Sequence, residues 1–399
     1  MFIKLLLQQR LLSIYKMNIG FYVKTYNGVK GGIERLISML AHELTKDNNI
    51  TIFMDCEKWE KFPYPLPENV NQIRLPFRTD TFFIKELNEI IVSASIEVMV
   101  VMRTGSKAMQ IWAAALSGTS CKLVMSEHCA PEVAKIEYPN NSRDICLECA
   151  DHIHLLQDEF ICSIPMHLRK RVEVISNYVT DIRSHNLEYC KRKNQIVMIG
   201  RLTKTQKRPL LLAEAFKVAQ DKNSEIKNQW KLIFCGDGPE KDSLNRFIRD
   251  NNLNNVEVRG QVENVEEVLQ ESKLFCLPSA YEGQSIALME AMNCGAIPIV
   301  LDDAPGNRSM VSHLETGYLA KKEKLSETIL EAISNPNNED ISINAQKFIA
   351  KFSKENALNK WKCLFSKAIR EDKNFRERHQ SQKKYLINSL LTKEVFNEI

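Results

Sequence analysis

The chain has 399 residues, a length that fits two domains of ordinary size. Hydrophobic residues make up 44% and charged residues 26%, which excludes a mainly disordered, collagen-like or fibrous protein. The formal charge of +4 is too small to argue for a nucleic-acid partner, and the positive excess falls after residue 185.

Residues 1–16 are apolar but broken by Lys4, Gln8, Gln9 and Arg10, and they lack a small-residue cleavage site. They read as an amphipathic extension, or as an upstream start that the working protein does not need. No apolar run reaches the roughly 18–20 residues of a membrane-spanning helix, and the best, 90–102, is interrupted by Glu97. Eleven cysteines stand at irregular spacing, and an odd number cannot pair fully within one chain. A chain of this size needs no disulfides to bury a core, so a reducing, cytoplasmic location is expected.

From residue 17 the pattern alternates strands and helices, as a parallel α/β sheet requires. Strands are predicted at 17–23, 49–55, 70–75, 96–102 and 122–127, with short closing strands at 153–156 and 172–175. Ile33, Leu36, Ile37, Leu40 and Leu44 recur at three- and four-residue spacing and predict a helix between the first two. The polar stretch 177–194 is the expected hinge. Strands then restart at 194–200, 230–236, 256–260, 273–278 and 296–301, with helices at 208–219, 239–251, 264–271, 284–294 and 324–334. Trp361, Leu364, Phe365, Ala368 and Ile369 predict a final amphipathic helix over 354–370.

The expected fold is therefore α/β, two Rossmann-like doubly wound domains facing across a cleft. Their expected extents are 1–185 and 186–355. Residues 356–399 add C-terminal helices and a basic tail. In such sheets ligands lie beyond the carboxyl ends of the strands, so residues just after each strand are the ones to inspect.

Gly28, Gly31 and Gly32 follow the first strand and precede a helix, where backbone N–H groups can meet a phosphate; a plain glycine-rich turn reads equally well. His128 ends the fifth strand in Ser126-Glu127-His128, placed to donate to a phosphate or a sugar hydroxyl, or to serve a structural role. Gly200-Arg201-Leu202 and Lys207 follow the first strand of the second half. Two cations there suit a diphosphate, the alternative being two solvated charges. The stretch 278–298 is the most specific. Glu282 sits in a loop, and Glu290 lies eight residues on, on an otherwise apolar helix surface where a carboxylate needs a partner. Sugar or ribose hydroxyls would serve. Gly283 and Gly295 bracket that helix and permit close approach to a ligand.

Taken in this order, GGIERL, SEH, VISNYV, GRLTKTQKRP, IFCGDGPEKDSL, the Glu282–Glu290 stretch and ETGYLA resemble the retaining glycosyltransferases of the GT-B fold, family 4 (glycosyl transferases group 1), from about Met17 to about Ser334. The resemblance implies that Gly31, Gly32 and Gly200 face the diphosphate of a nucleotide-sugar donor. It places His128 near the donor sugar and has Arg201 and Lys207 hold the leaving diphosphate. It has Glu282 contact the donor sugar and Glu290 bind the ribose, with Gly283, Gln284, Ser285 and Ile286 completing the donor site. No cofactor and no metal are expected. The expected donor is a UDP-sugar and the acceptor a glycan or a lipid-linked glycan, in surface polysaccharide or lipopolysaccharide synthesis. The rival readings are a sugar-nucleotide epimerase of the same architecture and a catalytically silent sugar-nucleotide-binding protein. Gln284-Ser285 stands where many members carry an aromatic residue and Gly. Ala304-Pro305-Gly306-Asn307-Arg308 replaces the commoner Gly-Gly-x-Pro-Glu.

Three further features have two readings. Cys146 and Cys149 with His152 and His154 suggest zinc, but no second pair completes the set, and core packing is favoured. The segment 74–85 mixes Arg74, Arg78 and Lys85 with Phe77, Phe82 and Phe83. It reads as a lipid-docking surface or, by preference, as a helix start with core aromatics. The tail with Lys373, Arg376, Arg378, Lys383 and Lys384 reads as a solvated helix, slightly favoured, or as a peripheral contact with the inner membrane surface.

Overall fold

The computed structural model describes residues 16–24, 30–56, 61–76, 78–102, 107–133, 142–180 and 187–370. Gly28, Phe77, the stretch before Lys16 and the basic tail after Arg370 lie outside these residues. Two parallel sheets organise the chain. The first contains β1 (Asn18–Lys24), β2 (Asn49–Asp55), β3 (Asn71–Leu75), β4 (Val98–Val101), β5 (Lys122–Glu127), β6 (His152–Leu155) and β7 (Val172–Val174). The second contains β8 (Lys193–Ile199), β9 (Lys231–Cys235), β10 (Val256–Gly260), β11 (Ser272–Leu277), β12 (Ile297–Leu301) and β13 (Tyr318–Ala320).

The strand orders are β3-β2-β1-β4-β5-β6-β7 and β10-β9-β8-β11-β12-β13. Each order reverses once, between β1 and β4 and between β8 and β11. At such a switch point two successive connections leave in opposite directions and open a crevice at the strand ends. Chain contacts define two compact units. The first holds β1, Ile33–Ile175 and residues 358–370, and the second holds residues 30–32 and Ser176–Ala357.

Burial on both faces explains the nearly unbroken apolar strands. Along β8, Ile196 and Met198 enter one core, while Val197 and Ile199 enter the other. On β1, Tyr22 meets Trp112 at 5.2 Å between ring centroids, and Phe21 on the opposite face meets Phe365 at 6.4 Å. Phe365 belongs to the helix Lys354–Arg370, which forms where the periodicity predicts it and buries Trp361, Leu364, Phe365 and Ala368.

Several local outcomes differ from the sequence reading. The helix predicted at 284–294 starts at Ile286, because Ser285 is extended and its side chain accepts the Leu288 N–H. The helix predicted from 208 starts at Pro209, because Arg208 takes a left-handed conformation, φ 52°. The three-residue β13 and the helix Asn338–Ile349 carry too little periodicity to be predicted. The segment 74–85 divides. A helix Thr81–Ser93 begins after Asp80, whose side chain accepts from Phe83 N at 2.8 Å. Phe83 enters the core, whereas Phe82 is 79% exposed. Cys146 and Cys149 are buried in the core of the first unit. Among the described residues no group of three or more His, Cys, Asp or Glu is arranged to hold a metal. Among them, too, no helix is long and apolar enough to cross a membrane.

Candidate active site

The switch point of the second sheet is framed by the loops after β8 and β11. Gly200 follows β8 directly, with φ +142°, and the stem of Lys207 lies over it. A Cβ at Gly200 would stand 3.5 Å from Lys207 Cε. The loop 203–208 folds on itself, with Arg208 N donating to Thr203 O at 2.8 Å and Lys207 N to Thr203 Oγ1 at 3.2 Å. Ala280 N donates to Gln206 O at 2.8 Å and joins the β11 loop to this one. Those bonds set the Lys207 side chain facing Glu282. Lys207 Nζ donates to Glu282 Oε1 at 2.5 Å, with the two side chains 14% and 9% exposed. An ion pair so shielded from water is much stronger than a surface pair, and either member is costly to leave alone.

The loop after β9 supports the same floor. Leu202 N donates to Asp237 O and Glu240 N to Leu202 O, at 2.9 and 3.0 Å. Gly236 and Gly238 have φ of +156° and +157° and press against the backbone of Gly200 and Leu202. Arg201 leaves this floor half-buried, next to Gly200. Beyond Glu282, Gly283 and Ile286 are buried, and Gly306 seats its backbone on the carbonyls of Glu282 and Gly283 with no room for a Cβ. Gln284 faces the protein. Its Oε1 accepts from Asn177 N at 2.7 Å and its carbonyl from Asn177 Nδ2 at 2.8 Å. Glu290 is buried at 7% exposure in the helix Ile286–Asn293.

Of the remaining predicted residues, Gly31 and Gly32 group with the second unit and His128 with the first. Gly31 and Gly32 lead into the helix Gly32–Leu44, and nothing lies within 4 Å of a Cβ built at Gly32. His128 follows β5, half-buried, with Nε2 2.7 Å from Ser126 Oγ. The structure thus brings Gly200, Lys207, Glu282 and Gly283 into one loop cluster and holds His128 in a separate hydrogen-bonded group.

Asn177, Gly236, Gly238 and Gly306 lie in motifs noted in the sequence, but none is assigned a site role there. Gly-Asp-Gly after a core strand was a signal for two of them. Sequence reasoning also passes over Ser279 and Asn307. Both are fully buried, and their side-chain polar atoms have no hydrogen-bond partner among the described residues. Ser279 lies in the 278–298 stretch and Asn307 in the 304–308 departure, but neither is given a role from the sequence.

Residues 182–348 match the family described as glycosyl transferases group 1. The match spans most of the second unit. The chain therefore carries a glycosyltransferase enzyme domain, and its two-sheet architecture is the GT-B fold. The chain is 26% identical over 297 residues to GalNAc-alpha-(1->4)-GalNAc-alpha-(1->3)-diNAcBac-PP-undecaprenol alpha-1,4-N-acetyl-D-galactosaminyltransferase of Campylobacter jejuni, covering 69% of this chain and 77% of that one. It is 27% identical over 204 residues to poly(ribitol-phosphate) alpha-N-acetylglucosaminyltransferase of Staphylococcus aureus, covering 49% of this chain and only 40% of the relative. The pneumococcal O-GlcNAc transferase GtfA, solved with UDP and GlcNAc, superposes with a TM-score of 0.71 at 12% identity, covering 90% of this chain and 100% of that one. At that identity the likeness shows the fold alone. The matched residues span both loops of the Lys207–Glu282 pair.

Proposed function

We propose that the chain is a retaining glycosyltransferase of family 4. It moves a sugar from a nucleotide-sugar donor, a UDP-sugar, to a hydroxyl of a glycan or lipid-linked acceptor in surface polysaccharide or lipopolysaccharide synthesis. The working location is the cytoplasm, with peripheral contact at the inner membrane face. The observation that carries this reading is the shielded Lys207–Glu282 pair, laid over Gly200 at the switch point of the second sheet. A cation and a carboxylate at one crevice suit the two halves of a sugar diphosphate. The relatives add support, since one is named for an undecaprenol-linked glycan and a structural neighbour was solved with UDP.

Breaking the anomeric bond leaves an oxocarbenium-like sugar and a departing nucleoside diphosphate. Arg201 and Lys207 stabilise the negative charge that grows on the leaving oxygen, which favours the transition state over the ground state. Glu282 accepts from hydroxyls of the donor sugar, and Glu290 accepts from the ribose. The leaving phosphate takes the proton of the attacking hydroxyl on the same face, so the anomeric configuration is kept. The side-chain cations neutralise the diphosphate, and no metal is needed.

A donor screen tests this reading by following nucleoside diphosphate release with and without a lipid-linked acceptor. The expected result is acceptor-dependent release from a UDP-sugar, with NMR of the product showing the donor's anomeric configuration. An inverted product contradicts retention, and release from no nucleotide-sugar contradicts the whole assignment.

A further inference from the structure

The helix Ile286–Asn293 carries Glu290 and follows directly on the loop of Glu282 and Gly283. A short segment of the same unit, 176–180, is fastened to both of its ends. At the start, Asn177 N donates to Gln284 Oε1 at 2.7 Å, and Asn177 Nδ2 donates to the Gln284 carbonyl at 2.8 Å. At the far end, Asn293 Nδ2 donates to the Thr180 carbonyl at 2.7 Å. Between these anchors Tyr178 is buried and Val179 pairs with Ser353. An eight-residue helix rises about 12 Å, and three steps of extended chain cover about 10 Å, so four residues are enough to strap it from end to end. Asn177 and Gln284 are 4% and 5% exposed, so water does not compete for their bonds. The Gln284 carbonyl is the third in a row to be held. Gly306 seats its backbone on the carbonyls of Glu282 and Gly283, where a Cβ would stand 2.3 Å from each oxygen. A trans peptide is planar, with its N–H opposed to its C=O. Holding the carbonyls of 282, 283 and 284 therefore sets the opposite direction for the N–H groups of Gly283, Gln284 and Ser285.

We propose that Asn177 is a positioning residue for the loop that carries Glu282, acting through Gln284. Its side chain and its backbone N–H close on one residue, which resists tilting of the 284–285 peptide and keeps the Ser285 N–H aimed at the diphosphate of the nucleotide-sugar. Gln284 spends its side-chain oxygen on Asn177 and serves as an anchor, not as a side-chain contact to the donor. This rests on the proposed function, and every residue it uses lies in the second unit.

The test compares full-length wild type, Asn177→Ala, Gln284→Leu and the double variant by amide hydrogen exchange and by calorimetric titration with UDP. Tyr318→Phe is the control, since it removes another buried hydrogen bond of the same unit, Tyr318 Oη to Asn338 Oδ1 at 2.7 Å. In Asn177→Ala the amides of 283–288 should exchange roughly 2–10-fold faster, the effect of losing one buried hydrogen bond. UDP should bind about 10-fold more weakly, as expected when a hydrogen bond to a charged oxygen is misaimed. Tyr318→Phe should change neither. The double variant should lose little more UDP affinity than Asn177→Ala alone, because the two residues act as one unit. Unchanged exchange in folded Asn177→Ala overturns the strap, and faster exchange with full UDP affinity overturns the positioning role. Losses that add in the double variant overturn the anchor role of Gln284. Should Asn177→Ala fail to fold, Gln284→Leu, which removes the acceptor of Asn177 N, carries the same expectations and the same refutations. A wild-type protein that binds no UDP counts against the proposed function, and the exchange comparison then decides the strap by itself.

Discussion

Gly236 stands so close to Gly200 that a Cβ on it would overlap the Gly200 carbonyl oxygen. Two loops that leave adjacent strands are thereby pressed into one floor, on which the Lys207 stem rests. Gly236→Ala should therefore displace Gly200 and weaken donor binding together with stability. Gly118→Ala is the control. Gly118 also has a left-handed φ, +85°, but nothing lies within 4 Å of its Cβ, so only the backbone cost of about 1–2 kcal/mol applies. Urea unfolding of the two variants should show the larger loss at Gly236, and equal losses with unchanged donor affinity would contradict this account.

The Lys207–Glu282 pair separates catalysis from stability. Lys207→Ala should lower turnover by roughly 10²–10³, in line with the loss of one transition-state charge partner. It should also destabilise by about 1–3 kcal/mol, because Glu282 keeps its carboxylate at 9% side-chain exposure. Adding Glu282→Ala should recover part of the stability and none of the turnover. Unfolding midpoints and turnover measured on both single variants and the double variant check the pair.

On the proposed mechanism, in which Arg201 and Lys207 supply the positive charge, activity should survive EDTA. Turnover after extensive chelation, compared with turnover after added Mg²⁺ or Mn²⁺, decides the matter. Abolition by EDTA and restoration by metal would refute the side-chain clamp.

Acid should weaken the first unit. The folded-state values of His128 and His154 lie below the ordinary 6.5, so the unfolded chain takes up the protons first as pH falls. Stability is therefore full above about pH 6.5 and declines toward about pH 4, by up to about 1.4 kcal/mol per pH unit and per histidine. Chemical unfolding of wild type and His154→Gln at about pH 7, 6 and 5 tests this. The variant should show the shallower decline.

Trp361 is 1% exposed and packs against His154 and, at 5.6 Å, against Phe365. Trp361→Ala should cost about 3–5 kcal/mol. Cys363→Ser, on the exposed side of the same helix, should leave the unfolding midpoint within about 0.5 kcal/mol of wild type.

The alternation of strand and helix was legible because β8 and its neighbours are buried on both faces, so their sequences are nearly continuous apolar runs. Lys207 and Glu282 were legible as candidates because each closely follows a core strand. Their mutual contact was not, since it depends on the Ala280–Gln206 bond between two loops. Ser126 and His154 show the limit most clearly. They are 28 residues apart and meet only through the β5–β6 register. In the sequence His154 stood nearest to Cys146, Cys149 and His152 and suggested a metal. The sheet buries the cysteines in the core and turns His154 toward Ser126. The resemblance has Gln284 in the donor site, and the contact of its side-chain oxygen with Asn177 N, more than a hundred residues upstream, was not legible in the sequence.

The helix Lys354–Arg370 joins the first unit only from Leu358 onward, after the entire second unit has been strung out along the chain. On the ribosome, β1 emerges early, but Phe21 waits for Phe365 and His154 waits for Trp361. The amino-terminal half therefore cannot seal this face during most of translation, and the apolar surface stays open while nearly two hundred further residues are made. A message truncated just before the codon for Trp361 would yield a complete second unit attached to an unfinished first one, the kind of product that chaperones hold and proteases remove.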